Sequence, residues 1–126
     1  MTKAKVIKLD IPFLPKSLNE LFSIHHMKRY IYFKDWKKYV SLSARGEKLI
    51  PEKPFEKAKV SVCFVFPDNK TRDMDNYIGG AKGLMDGLKR AKIIKDDCWQ
   101  RVKVEYKGKR GNVAKTEVVI REVKKI

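Results

Sequence analysis

Residues 58–66 read AKVSVCFVF, and the interpretation of those nine positions decides the fold. In an extended chain Val60, Val62, Phe64 and Phe66 share one face, while Cys63 and Val65 make the opposite face apolar as well. A strand that is apolar on both sides belongs in the middle of a sheet. Downstream, a polar loop over 67–72 leads to Asp73 and Asp75, and a helical pattern runs from about 76 to 91. Upstream, Pro51 and Pro54 close an amphipathic helix over about 33–49. Trp36, Tyr39, Val40 and Leu42 mark its apolar side, and Lys34, Lys37, Lys38, Arg45 and Lys48 surround the rest. Residues 17–32 show little periodicity and read as a loop or ordered arm carrying Asn19, His25, His26, Lys28 and Arg29.

The two ends of the chain complete the sheet. Val6, Lys8 and Asp10 alternate with Ile7, Leu9 and Ile11 in a strand that Pro12 and Pro15 terminate. Near the other end Val102, Val104 and Tyr106 alternate, 108–111 supplies a turn, and Thr116, Val118 and Ile120 alternate again, as in an antiparallel hairpin. The expected order is βαβαββ, a single α+β domain over 1–126 with a mixed sheet and two helices packed on it.

Charge narrows the partner. Thirty Lys and Arg against fifteen Asp and Glu give a formal +15, which points to an anionic partner, nucleic acid in preference to membrane. A run of about 18 apolar residues and a signal-peptide pattern are both missing, so a soluble, intracellular chain is expected. Cys63 and Cys98 stand far apart with no second Cys or His at ligand spacing, so neither a disulfide framework nor a zinc site is indicated.

Six of the eight aspartates (Asp68, Asp73, Asp75, Asp86, Asp96 and Asp97) fall within thirty residues, and none of the seven glutamates does. Short carboxylates inside a cationic protein imply acids that hold a divalent cation and bases that hold a polyanion, the parts of a metal-dependent nuclease. Asp73 and Asp75 leave the core strand two positions apart and share a side if the chain is still extended; Asp75 also suits the cap of the next helix. Asp96 and Asp97 lie where the chain returns to the next strand. A strand, helix, strand unit is expected to bring Asp97 beside Asp73, so that three carboxylates converge on Mg²⁺, with Asp96 and Asn76 as supporting groups. Asp86, about three turns from Asp75, is expected to pair with Lys82 or Lys89. Gly79, Gly83 and Gly87, spaced by fours, imply close approach of another backbone, either a helix or a nucleic-acid strand; the alternative is that Gly79 and Gly80 break the helix.

The segments Arg72-Asp73-Met74-Asp75-Asn76, Asp86-Gly87-Leu88 and Ile94-Lys95-Asp96-Asp97 resemble the RusA family of Holliday junction resolvases, small phage and bacterial endonucleases. Pro15, Ser17 and Asn19 extend the likeness to the N-terminal region. The resemblance implies a RusA-like fold, Asp73, Asp75 and Asp97 as catalytic Mg²⁺-binding groups with Mn²⁺ as a substitute, and a twofold homodimer cutting branched DNA in a bacterial cytoplasm. Family members carry an essential lysine three residues after the Asn and four before the helix Asp. Here the interval from Asn76 to Asp86 is three residues longer, so Lys82 keeps its spacing to Asp86 while Gly79 occupies the position counted from Asn76. Lys70, Arg72, Lys89, Arg90 and Lys95 are further candidates for electrostatic duty, and Lys28 and Arg29 for DNA contact.

Several side chains carry more than one reading. His25 and His26 contact phosphate, donate a proton, or are simply solvated. Trp36 and Tyr39 stack on bases or pack the core, and Trp99 wedges into a branch point or anchors its loop. The residues alone also leave open another Mg²⁺-dependent nuclease, acting on flaps, duplex or RNA, and a non-catalytic basic DNA-binding module.

Overall fold

In the computed structural model residues 5–46 and 49–126 are described; the expected position of Lys48 on the first helix lies outside them. Along the chain come β1 (Val6–Ile11), α1 (Leu18–Phe22), α2 (His26–Gly46), β2 (Ala58–Phe66), α3 (Met74–Gly80), α4 (Lys82–Arg90), β3 (Val102–Arg110) and β4 (Lys115–Glu122). The α+β class and the mixed sheet are as expected; the second expected helix is divided into α3 and α4, while the first lies within a longer α2 that begins at His26. The sheet order is β1-β4-β2-β3, with β2 parallel to β3 and antiparallel to β4. β2 is therefore internal, and Val60, Val62 and Phe64 are fully buried.

The C-terminal hairpin is not formed. β3 and β4 flank β2 on opposite sides, because the link between them wraps around the carboxyl end of β2. The Gly111 amide donates to the Phe66 carbonyl at 3.0 Å, and a Cβ at Gly111 would lie 2.5 Å from Val65 Cγ1. Alternation reveals which face of a strand is apolar but not which strand lies beside it.

The region expected to be an arm is helical. Ser17 caps α1 by accepting from the Glu20 amide at 3.3 Å, and His25 Nδ1 accepts from the Met27 amide at 3.2 Å at the start of α2. The buried apolar strip of α2 is narrow, Trp36, Val40 and Ala44, with Ser41 buried beside it, whereas Leu42, expected on the apolar side, is 55% exposed. Phe13 packs edge-on against Trp36 and Tyr39, with ring centroids 5.1 and 5.0 Å away; Trp36 is a core residue and Tyr39 packs half-buried against the core.

Between β2 and β3 the crossover helix is interrupted at Ala81, next to the Gly79 and Gly80 pair. The glycine spacing has its own cause. A Cβ at Gly83 would lie 2.7 Å from the Phe33 carbonyl oxygen, and one at Gly87 would lie 2.6 Å from Val40 Cβ and 3.0 Å from the Lys37 carbonyl oxygen. The close approach is therefore made by α2, while Gly79 faces the Leu18 side chain and Gly80 the backbone oxygen of Lys16. Tyr32 of α2 fastens the same corner, accepting from the Lys16 amide at 2.7 Å and donating to the Gly80 carbonyl at 3.1 Å; burial pushes its pKa up to about 12.

Candidate functional site

At the carboxyl end of β2 the loop 67–72 is held by Arg72. Its guanidinium lies 4.5 Å over the Phe66 ring and donates to both oxygens of Asp68, at 2.7 and 3.1 Å. The Lys70 amide donates to Asp68 as well, at 3.0 Å. Together the two partners hold the Asp68 carboxyl down at about 2, the Arg72 hydrogen bonds first. Arg72, a candidate DNA contact from sequence, thus spends its charge within the loop that delivers Asp73.

Asp73 is extended and caps α3, accepting from the Asp75 amide at 3.2 Å. The helix starts sooner than the periodicity suggests, so Asp73 takes the capping role expected of Asp75, and Asp75 sits in the first turn. The Asn76 amide donates to the Asp73 carbonyl at 3.2 Å, and both carboxylates remain exposed.

The second acidic pair lies at the other end of the crossover. Before β3 the chain runs beside Phe55, whose amide donates to the Ile93 carbonyl at 2.8 Å and whose carbonyl accepts from the Lys95 amide at 3.1 Å. Asp96 then accepts from the Asp97 amide at 2.8 Å, which lowers the Asp96 pKa. Lys89 reaches into this turn: its Nζ is 3.2 Å from Asp97, 3.9 Å from Asp96 and 3.9 Å from Asp86. The Asp86 pairing matches expectation; the other two contacts arise because the returning chain passes the end of α4. Asp97 chiefly raises the Lys89 pKa. Beside them Lys37, Asp86, Lys89 and Arg90 line an open hollow of about 400 Å³.

The expected convergence of Asp97 on Asp73 does not occur within one chain. Because β2 and β3 are parallel, the exit of one and the start of the other lie at opposite ends of the sheet. Met74 Sδ would lie 3.6 Å from a Cβ at Gly108, which pairs with Phe64, whereas the turn after Asp97 leads directly to Val102, which pairs with Ala58. Six residues of strand separate those levels, about 20 Å. Among the described residues no three His, Cys, Asp or Glu side chains are grouped to hold a metal ion. One chain by itself does not fit the implied Mg²⁺.

The basic candidates are dispersed. Lys82 stands exposed at the start of α4, between the two acidic sets, and makes no ion pair with a described residue. Lys95 pairs with Glu56 at 3.2 Å, beside the Arg101 pair with the same carboxylate at 2.6 Å. Lys28 and Arg90 are exposed, and Arg29 lies 5.8 Å from the Phe22 ring centroid. His25 and His26 face each other with ring centroids 4.1 Å apart on the surface. Trp99 is 78% exposed, so the anchoring role is excluded.

The sequence reading missed the open face of the sheet. The strand register puts Lys8, Lys59, Lys107 and Arg121 there together, and none of the four pairs with a described acid, while Lys109 pairs with Glu117 at 2.7 Å. Each strand shows only alternate charges; the register that joins them is a tertiary fact.

Both acidic sets, Lys82 and Trp99 lie within residues 24–121, which match the family described as Endodeoxyribonuclease RusA. An α+β domain with exposed aspartates at both ends of a parallel crossover, in a strongly cationic chain, is a nuclease fold of this kind. The chain belongs to the RusA family of endodeoxyribonucleases, and membership indicates Holliday junction resolution as its activity. No curated protein matches the chain. No helix is long and apolar enough to cross a membrane among the described residues.

Proposed function

We propose that the chain is a Mg²⁺-dependent, structure-selective endodeoxyribonuclease that resolves four-way DNA junctions by paired symmetric cuts, as a twofold homodimer. The observation that carries this reading is the parallel pairing of β2 with β3, which sets the segment carrying Asp73 and Asp75 and the segment carrying Asp97 at opposite ends of the strand pair, at levels about 20 Å apart. In an isologous pair whatever one copy lends its mate it also receives, so two identical sites arise together. Asp73 and Asp75 of one copy and Asp97 of the other then form each acidic set, and Mn²⁺ substitutes for Mg²⁺. A divalent cation bound there supplies Lewis-acid chemistry for phosphodiester hydrolysis.

The protein groups have separate duties. Asp73 and Asp75 are fixed by the first turn of α3, Asp96 braces Asp97 through its amide, and Lys89 balances Asp97 until DNA arrives. Lys82 stands free to meet phosphate, with Lys70, Arg90 and Lys28 as further backbone contacts. Twofold symmetry matches the two strands of like polarity that must be cut.

Mixing variants tests the arrangement. Asp73→Asn and Asp97→Asn alone each abolish cleavage while binding a junction at least as well as wild type, since each removes negative charge near DNA. In a mixed dimer one site receives both substitutions and the other receives none, so mixtures nick the junction once without paired cuts. Mixtures as inactive as either parent overturn the shared site. Cleavage undiminished in both variants, with Mg²⁺ or Mn²⁺, overturns the assignment of these aspartates.

A further inference from the structure

We propose that Trp99 is the residue that recognises the branch point, its indole stacking on a base that the junction leaves unpaired or weakly stacked. The inference rests on the branched-DNA reading above and adds the chemical group that distinguishes a junction from linear duplex.

Three observations carry it. First, the indole is 78% exposed, the most exposed of the large hydrophobic side chains in the described residues, whereas the other tryptophan, Trp36, is 3% exposed and belongs to the core. Second, its mounting is firm. The Arg101 and Val102 amides both donate to the Cys98 carbonyl at 3.0 Å, closing the turn on which Trp99 stands. Arg101 also ties that turn to Glu56 at 2.6 Å and to the Glu56 backbone oxygen at 3.3 Å. Third, it lies two positions after Asp97, whose carboxylate is 3.2 Å from the Lys89 ammonium, so a nucleic-acid backbone held at that cation brings its bases within reach of the indole.

A rigid, exposed aromatic plane beside phosphate-binding cations is the arrangement that captures unstacked bases, since every base has a π-face and the contact needs no particular sequence. In continuous duplex both faces of each base are already covered by neighbours, and the indole gains nothing. At a branch point a base face is open. The contact therefore favours junction over duplex without reading sequence.

The test uses the full-length protein without divalent metal, a four-way junction carrying 2-aminopurine at the branch point, and linear duplex of the same sequence. Wild type is expected to change 2-aminopurine fluorescence on binding, and the exposed tryptophan's emission is expected to be quenched by junction but not by duplex. Trp99→Ala loses both signals and about tenfold in junction affinity, with duplex affinity unchanged. Trp99→Phe retains most of each. Substituting so exposed a side chain leaves the fold intact, which the buried Trp36 emission verifies.

If wild type prefers the junction and Trp99→Ala keeps that preference and the 2-aminopurine signal, the stacking role is wrong while the branched-substrate reading stands. If wild type itself shows no preference for the junction, both fall. A change in oligomeric state in Trp99→Ala, measured by sedimentation, also overturns the proposal, because the indole then belongs to a contact between copies.

Discussion

At the scale of single residues, Lys89 carries the most consequence, because one ammonium lies within 4 Å of three carboxylates. Its side chain is 36% exposed, so screening limits the combined worth to about 1 kcal/mol. Lys89→Met is expected to lower the melting temperature by a few degrees in chelator, and high salt is expected to narrow the gap by screening repulsion among the acids. An unchanged melting curve shows that the three contacts contribute nothing.

Asp68 offers a pH test. Its folded pKa of about 2 lies below the ordinary 3.8, so its contribution is present above pH 3.8 and is lost as pH falls through about 2. The carboxyl carbon of Asp68 should titrate near pH 2 by NMR, and at a higher pH in Arg72→Gln, where the Lys70 amide still donates to it. The Asp86–Lys89 pair was legible from the sequence, being local to one helix. The reach of Lys89 to Asp96 and Asp97 was not, since it depends on where the chain returns.

At the scale of elements, α2 and α4 form the tightest contact, and the glycines of α4 permit it. Gly83→Ala and Gly87→Ala in isolation would favour a helix by up to about 1 kcal/mol. Here each added methyl meets backbone or a Cβ of α2 at 2.6 to 2.7 Å, so overpacking wins. Each substitution is expected to destabilise by about 1 to 3 kcal/mol in urea titration. A stabilised variant would show that the helices part without penalty. Tyr32→Phe should likewise cost about 1 to 3 kcal/mol, because it leaves the Lys16 amide and the Gly80 carbonyl without their partner.

The spacing of those glycines announced a close approach but not which surface made it. The strands were legible because alternation is a local property, and β1 and β2 bury the faces that their sequences assign. The first half of α2 was not. Met27, Tyr30 and Ile31 are exposed on it, so its apolar residues do not fall on the buried side and their spacing carries no helical signal. The pairing of β4 between β1 and β2 depends on the link around β2, which no strand pattern records.

For the whole molecule, the charge of +15 predicts a steep loss of DNA affinity with salt, log K falling with log[salt] by about 0.9 for each phosphate neutralised. Lys59→Gln and Lys107→Gln on the open sheet face are each expected to shallow that slope by about one if duplex arms lie across it. Unaltered slopes would assign the face to solvent. Net charge, the acids and the domain class were all readable from the sequence. The separation of the two acidic sets, on which the proposed sharing between copies rests, was not, because it follows from parallel strands, and strand direction is decided by the pairing. The separation of the two acidic ends also bears on how such an enzyme behaves on dilution. Below its self-association constant the proposed arrangement disarms each molecule, so specific activity should fall as total protein is lowered. A scarce, newly made copy would then leave chromosomal DNA untouched until it meets another.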